Sequence, residues 1–261
     1  MNRALLAEWT KMRTVRSTAW TPWTAAGLTM ALSLPIVATA GPDTTACGAA
    51  TGCDPVRLSL TGVQLGQIAV IVTAVLTMSA EYGTGLIVQT LTAEPRRLRV
   101  LTAKAITVTA AALGAGLVSV AGCLIAGHVL LRGNDLSSPL TPITVPAMRA
   151  AGGTLLYLAL IALFSLGLAA ALRDTATALS TVLGLLYMPG ILTRFIADER
   201  WSILVDRYAP MSAGLAVQST ASPSAQSIGP WAGLGVLAAY ATAAMAAGAV
   251  LFHRRNASMS L

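Results

Sequence analysis

Charged side chains are scarce in this sequence: Asp, Glu, Lys and Arg make up 10% of its 261 residues, well under the roughly one quarter usual in a soluble domain. Cysteine is scarce too, with three residues and no C-x-x-C pair, which excludes a disulfide-built scaffold. The two histidines, His128 and His253, lie far apart, so no zinc-ligand spacing exists. H-E-x-x-H and G-x-S-x-G are absent, and no catalytic, cofactor-binding or metal-binding residue is expected. The net charge of +7 could suggest nucleic acid, but no basic run is interleaved with aromatics as single-strand binding requires. Cys123 sits in an apolar run and reads as packing, whereas Cys47 and Cys53 share a loop. Those two form a candidate disulfide if the loop faces an oxidising compartment.

What the chain has instead is apolar length. It is 55% hydrophobic with a mean hydropathy of +0.71, and its apolar runs approach or exceed the ~20 residues that cross a bilayer. The expected spans are residues 19–40, 58–80, 101–131, 152–172, 175–196 and 231–252. The third is long enough to tilt. The fold expected is therefore all-α, a single polytopic membrane domain covering residues 1–261 with about six spans. Ahead of them, residues 1–18 carry Leu5, Trp9 and Met12 on one helical face and Lys11, Arg13 and Arg16 elsewhere. That pattern fits an interfacial helix, and a solvated basic leader fits equally well. Ala38, Thr39 and Ala40 resemble a signal-peptidase site, but the preceding run exceeds the usual h-region, and cleavage would leave an odd number of spans.

Basic residues fix the expected orientation. With the N-terminus inside, eleven of the seventeen fall on the cytoplasmic side, including Arg96, Arg97, Arg99, Lys104 and Arg173, and both termini are cytoplasmic. The ionisable residues Glu81, Arg132, Arg149 and Arg173 are expected at span edges, with none deep inside. Small residues at every fourth position predict helix contacts through Ala110, Gly114, Gly122 and Ala126 in the third span, and Gly235, Ala239, Ala243 and Ala247 in the sixth. Pro189, after Tyr187 and Met188, marks a bend in the fifth span.

Between the second and third spans runs Glu81, Tyr82, Gly83, Thr84, Gly85, then Leu86 to Leu91, and Pro95, Arg96 and Arg97. Gly85 permits a tight turn, Leu86 to Leu91 can form a short amphipathic helix, and Pro95 closes it before a basic cluster. This stretch resembles the coupling helix of the ABC type-2 exporter permeases, the match resting on Glu81, Tyr82, Gly85, Leu91, Pro95, Arg96 and Arg97. Gly83 and Leu86 depart from the basic residue and the threonine that family members often carry there. Tyr208, Pro210, Ala213 and Gly214 are similar to a second family segment, Y-x-P-x-x-A-G, in the loop between spans five and six. An ordinary basic loop obeying the orientation rule is the plainer reading of residues 81–97, and it is the ordered combination that favours the coupling helix.

The resemblance implies six spans, an interfacial N-terminal helix and short re-entrant helices between spans five and six. It further implies a non-catalytic permease that pairs with a second copy and with a separate ABC ATPase, exporting an amphiphilic small molecule, lipid or peptide by alternating access. The only lysines, Lys11 and Lys104, stand in no P-loop, so ATP and its Mg would be bound by the partner subunit. In the family, spans two and five line the pathway, which here offers Gln64, Gln67, Thr73, Thr177, Ser180 and Thr181, each of which can equally bond between helices. Arginine outnumbering lysine, with abundant alanine, points to a GC-rich bacterium and a plasma-membrane location. The alternative reading is a secondary carrier or a non-transporting scaffold.

Overall fold

The computed structural model describes residues 8, 10, 14, 16–38, 54–83, 97–133, 144–193, 195, 198–220 and 228–254. All regular structure among them is helical: α1 (Arg16–Ala38), α2 (Pro55–Ser59), α3 (Val63–Gly83), α4 (Arg97–Gly133), α5 (Val145–Leu172), α6 (Thr175–Leu192), α7 (Glu199–Tyr208), α8 (Pro210–Leu215), a 3-10 turn (Ala216–Gln218) and α9 (Pro230–Arg254). Five of these helices, α3, α4, α5, α6 and α9, are long and apolar enough to cross a bilayer. Within α1, Trp23–Ala38 is a shorter apolar helix. Upstream, Glu8, Thr10 and Thr14 are helical, while Leu5, Trp9, Lys11, Met12 and Arg13 lie outside the described residues.

Local chemistry explains several boundaries. Thr144 caps α5 by accepting the Ala147 N–H, with proline in the first turn. The helix ends at Arg173, whose φ of 64° is the left-handed stop more often given to glycine. Asp174 then caps α6 by accepting the Thr177 N–H at 2.8 Å. Two residues thus turn α5 into its antiparallel neighbour. The second apolar stretch is not one helix: Leu60, Thr61 and Gly62 interrupt it between α2 and α3. Gly62 is jammed against α1, where a Cβ would lie 2.1 Å from the Thr29 carbonyl oxygen.

Helix α5 is the axis of the molecule, with 61% of its spanning window buried, whereas α6 has 17%. The most extensive contact is α5 with α9, and it is built from small residues: a Cβ on Gly167 would meet the Ala244 backbone at 2.5 Å, and one on Gly248 the Gly167 carbonyl oxygen at 2.5 Å. This corrects the expected contact stripes. Gly235, Ala239, Ala243 and Ala247 are exposed, and α9 packs instead through Gly233, Leu237, Ala241, Ala244 and Gly248. On α4, Ala110 and Gly114 are likewise exposed, while Gly122 abuts Met30 of α1. In so alanine-rich a chain, small residues recur on several faces, and the face chosen is the one whose neighbours interlock.

Candidate functional site

The polar chemistry gathers at the two ends of α3. At the Glu81 end, Lys104 of α4 is 1% exposed and surrounded by acceptors: Glu8 Oε2 at 2.9 Å, Glu81 Oε1 at 2.8 Å and the Thr77 carbonyl oxygen at 3.1 Å. Three acceptors meet the three ammonium protons, and one cation holds two buried carboxylates. The trio joins the helical segment at Glu8 to α3 and α4. Beside it, the Arg173 guanidinium lies 5.3 Å from the centre of the Tyr82 ring. That stacking contact ties the end of α3 to the α5–α6 turn.

Lys104 is the fourth residue of the third expected span, and the structure buries it there with carboxylates 96 and 23 residues away in sequence, at Glu8 and Glu81. The signal was available: a lone lysine inside an apolar helix requires an acid partner. Its partners were not, because sequence separation hides them.

At the other end, Gln67 of α3 is fully buried and sits at the centre of a neutral knot. Tyr157 of α5 donates to its Oε1. Its Nε2 donates to the Tyr187 hydroxyl and to the Gln64 carbonyl oxygen, both at 3.0 Å, and lies 3.5 Å from Met211 Sδ of α8. Tyr187 in turn donates to the Gln64 carbonyl. Beside this knot α2, α3, α6, α7 and α8 border a half-open cavity of about 750 Å³. Its walls mix apolar side chains, among them Leu65, Leu186, Ile191, Phe195, Met211 and Leu215, with the polar Arg57, Gln64 and Asp206.

Two further ties close the chain near this end. Asp54 accepts the Arg57 N–H at 3.1 Å, and its carboxylate takes both the backbone N–H (2.5 Å) and the hydroxyl (2.6 Å) of Thr220. Arg149 donates to the Ser219 carbonyl at 2.7 Å. The segment following the 3-10 turn is thereby held against α2 and the start of α5.

Of the residues singled out for a pathway, Gln64 lines the cavity and Gln67 forms the knot behind it. Thr73 turns away, bonding to the Ala69 carbonyl and bordering a 10 Å³ gap shared with α1 and α4. Thr177, Ser180 and Thr181 lie toward the opposite end of α6, where Thr177 and Ser180 are exposed and bond within their own helix turn. The structure does not bring the six together. Of the coupling residues, Glu81 and Tyr82 have been described, and Arg97 opens α4. Gly85, Leu91, Pro95 and Arg96, like Cys47 and Cys53, lie outside the described residues. Among the described residues no group of three or more His, Cys, Asp or Glu is arranged to hold a metal ion.

No protein-family model, no curated protein and no solved structure matches this chain. What the fold and site define is a class: an all-helical chain with five helices able to span a membrane, a buried charged cluster at one end of α3, and a cavity with a neutral knot at the other.

Proposed function

We propose that the chain is the membrane-spanning permease subunit of an ATP-driven ABC exporter of the type-2 class. In this reading α1 is a sixth span, both termini are cytoplasmic, and α7 and α8 dip back into the outer leaflet of a bacterial plasma membrane. The chain is not itself an enzyme: a separate ATPase binds ATP and Mg, and a second permease chain, most simply an identical one, completes the pathway. The cargo is amphiphilic.

The observation that supports this best is the anchoring of Glu81 and Tyr82, the residues that open the coupling-like motif. Glu81 is pinned to Lys104 and, through it, to Glu8; Tyr82 is pinned under Arg173. A push delivered just beyond Tyr82 would therefore move α3, α4 and the α5–α6 turn as one body, as a motor-driven permease requires. The resemblance at Pro95, Arg96 and Arg97 supplies the motor contact.

Reconstitution with the companion ATPase tests this. A Glu81→Ala, Arg96→Ala, Arg97→Ala variant inserts normally, since Glu8 still neutralises Lys104, but its ATP hydrolysis no longer drives cargo accumulation. Full transport by that variant, or by the permease with a catalytically dead ATPase, would sink the proposal. One observation favours a second reading, a secondary carrier: the buried Glu8, Lys104 and Glu81 are the kind of group that binds a coupling ion. That reading requires transport without an ATPase and its collapse when the proton gradient is dissipated.

A further inference from the structure

The cavity beside the Gln67 knot contains three polar side chains with nothing to do. Among the described residues the Gln64 carboxamide makes no hydrogen bond, and neither the Arg57 guanidinium nor the Asp206 carboxylate has an ion pair. Their backbones are engaged, Gln64 through its carbonyl and Arg57 through its N–H, so the segments are fixed while the side chains remain available. The neighbouring Tyr157 and Tyr187, by contrast, both bond to Gln67. Ser212 donates to the Asp206 carbonyl at 2.5 Å, which anchors α8 to the end of α7.

The cavity is therefore a half-open groove of mixed polarity carrying one cation, one anion and one amide that are uncommitted among the described residues. Its volume of about 750 Å³ falls within the range of small-molecule sites, roughly 300–1,000 Å³. A purely apolar occupant would leave Arg57 and Asp206 without counter-charges, and a singly charged one would satisfy one of them while being repelled by the other. A head group bearing both signs satisfies both, with its chain against Leu65, Leu186, Ile191 and Met211. We infer that this cavity binds zwitterionic amphiphiles, an alkyl chain joined to a head that pairs an anion with a cation, such as phosphocholine. Arg57 takes the anionic group and Asp206 the cationic one. As a statement about cargo this rests on the exporter reading; as a statement about binding it does not, because no ATPase enters the test.

The test uses the purified full chain in dodecyl maltoside, whose head group is uncharged. Three dodecyl probes with a diazirine at the chain end are compared: phosphocholine (zwitterion), trimethylammonium (cation) and methyl phosphate (anion). After irradiation, labelled peptides are mapped, and labelling of residues 186–191 is divided by labelling of the exposed α4 face at Leu117 and Ile125. That ratio cancels differences in micelle partitioning. Because both charges are solvent-exposed, each should contribute about a threefold preference, so the zwitterion exceeds either rival by about threefold. In Arg57→Ala the zwitterion falls to the level of the cation, and in Asp206→Ala to that of the anion. In the double variant all three probes are equal. Both side chains are exposed and unpaired, so these variants fold, which unchanged α4 labelling verifies. Equal ratios for the three probes on the wild-type chain would overturn the inference and mark an undifferentiated lipid-facing groove. So would a zwitterion preference that survives in the double variant.

Discussion

The two ends of α3 solve the burial of polar groups in opposite ways. At Glu81 the buried groups are charged, two carboxylates sharing one ammonium, while at Gln67 they are neutral and hydrogen-bonded, with the charges Arg57 and Asp206 left at the surface of a cavity. Fourteen residues separate the two, about 21 Å along the helix. A buried ion cluster is rigid because breaking it strands a charge; a neutral knot with empty space beside it can be rearranged at lower cost. One end of α3 is thus suited to carry load and the other to accommodate a ligand.

The largest effect should come from Lys104→Met. It removes the ammonium that the buried Glu8 and Glu81 carboxylates share, which destabilises the chain by about 3–5 kcal/mol. Thermal unfolding in detergent measures this. Glu81→Gln should cost much less, because Glu8 and Lys104 remain a matched pair, and adding Glu8→Gln and Glu81→Gln to Lys104→Met should recover most of the loss. If Lys104→Met is no worse than Glu81→Gln, the cluster is not holding that end.

Gln67→Leu comes next. It strips Tyr157 and Tyr187 of their shared partner inside the bundle, at about 1–3 kcal/mol. Combined with Lys104→Met, its effect should add to within about 0.5 kcal/mol, as distant sites usually do. A larger departure would mean that α3 transmits strain from one end to the other, and the two regions would have to be treated as one device.

These two regions were unequally legible in the sequence. Apolar length gave the helices, since spanning a bilayer needs about 20 apolar residues and little else. The interruption at Gly62 was not legible, because it follows from how closely α1 approaches, a fact of packing. Nor was the packing register of α9, where Gly235, Ala239, Ala243 and Ala247 step by four, whereas the face that makes contact takes one step of three, from Ala241 to Ala244. Glu81 and Tyr82 were singled out from a local motif, but their partners Lys104, Glu8 and Arg173 come from other helices. Gln64 and Gln67 were noticed as amides in an apolar run; that one lines the cavity and the other is locked behind it depends on Tyr157 and Tyr187, 90 and 120 residues beyond Gln67.

A smaller effect sharpens the Glu81 end. Arg173 combines a left-handed backbone with a guanidinium over Tyr82, so its substitutions separate the two roles. Arg173→Ala loses the stacking, about 0.5–1 kcal/mol, and keeps the backbone strain. Arg173→Gly loses the same contact but relaxes the backbone, and should be more stable than the alanine variant by about 1 kcal/mol. If the order reverses, or if Tyr82→Leu abolishes none of the Arg173 effect, Tyr82 is not a clamp.

The smallest effect concerns the adjacent Asp174, which is fully exposed and touches neither the ion cluster nor the knot. The Thr177 backbone N–H, which it accepts at the start of α6, holds its carboxyl below the ordinary aspartate value. Because the folded-state value is lowered, the stabilisation from this cap is fully present above the ordinary value of about 3.9 and is lost as pH falls through the lowered one. Asp174→Asn keeps an acceptor of similar capping strength but does not titrate. The unfolding midpoint of the variant should therefore decline slightly less than wild type between pH 5 and pH 3. Both proteins retain the buried trio, so the difference isolates the exposed cap. Identical pH profiles would mean that the Asp174 cap contributes nothing measurable to the α5–α6 turn, and that the Arg173–Tyr82 contact matters more there than the cap does.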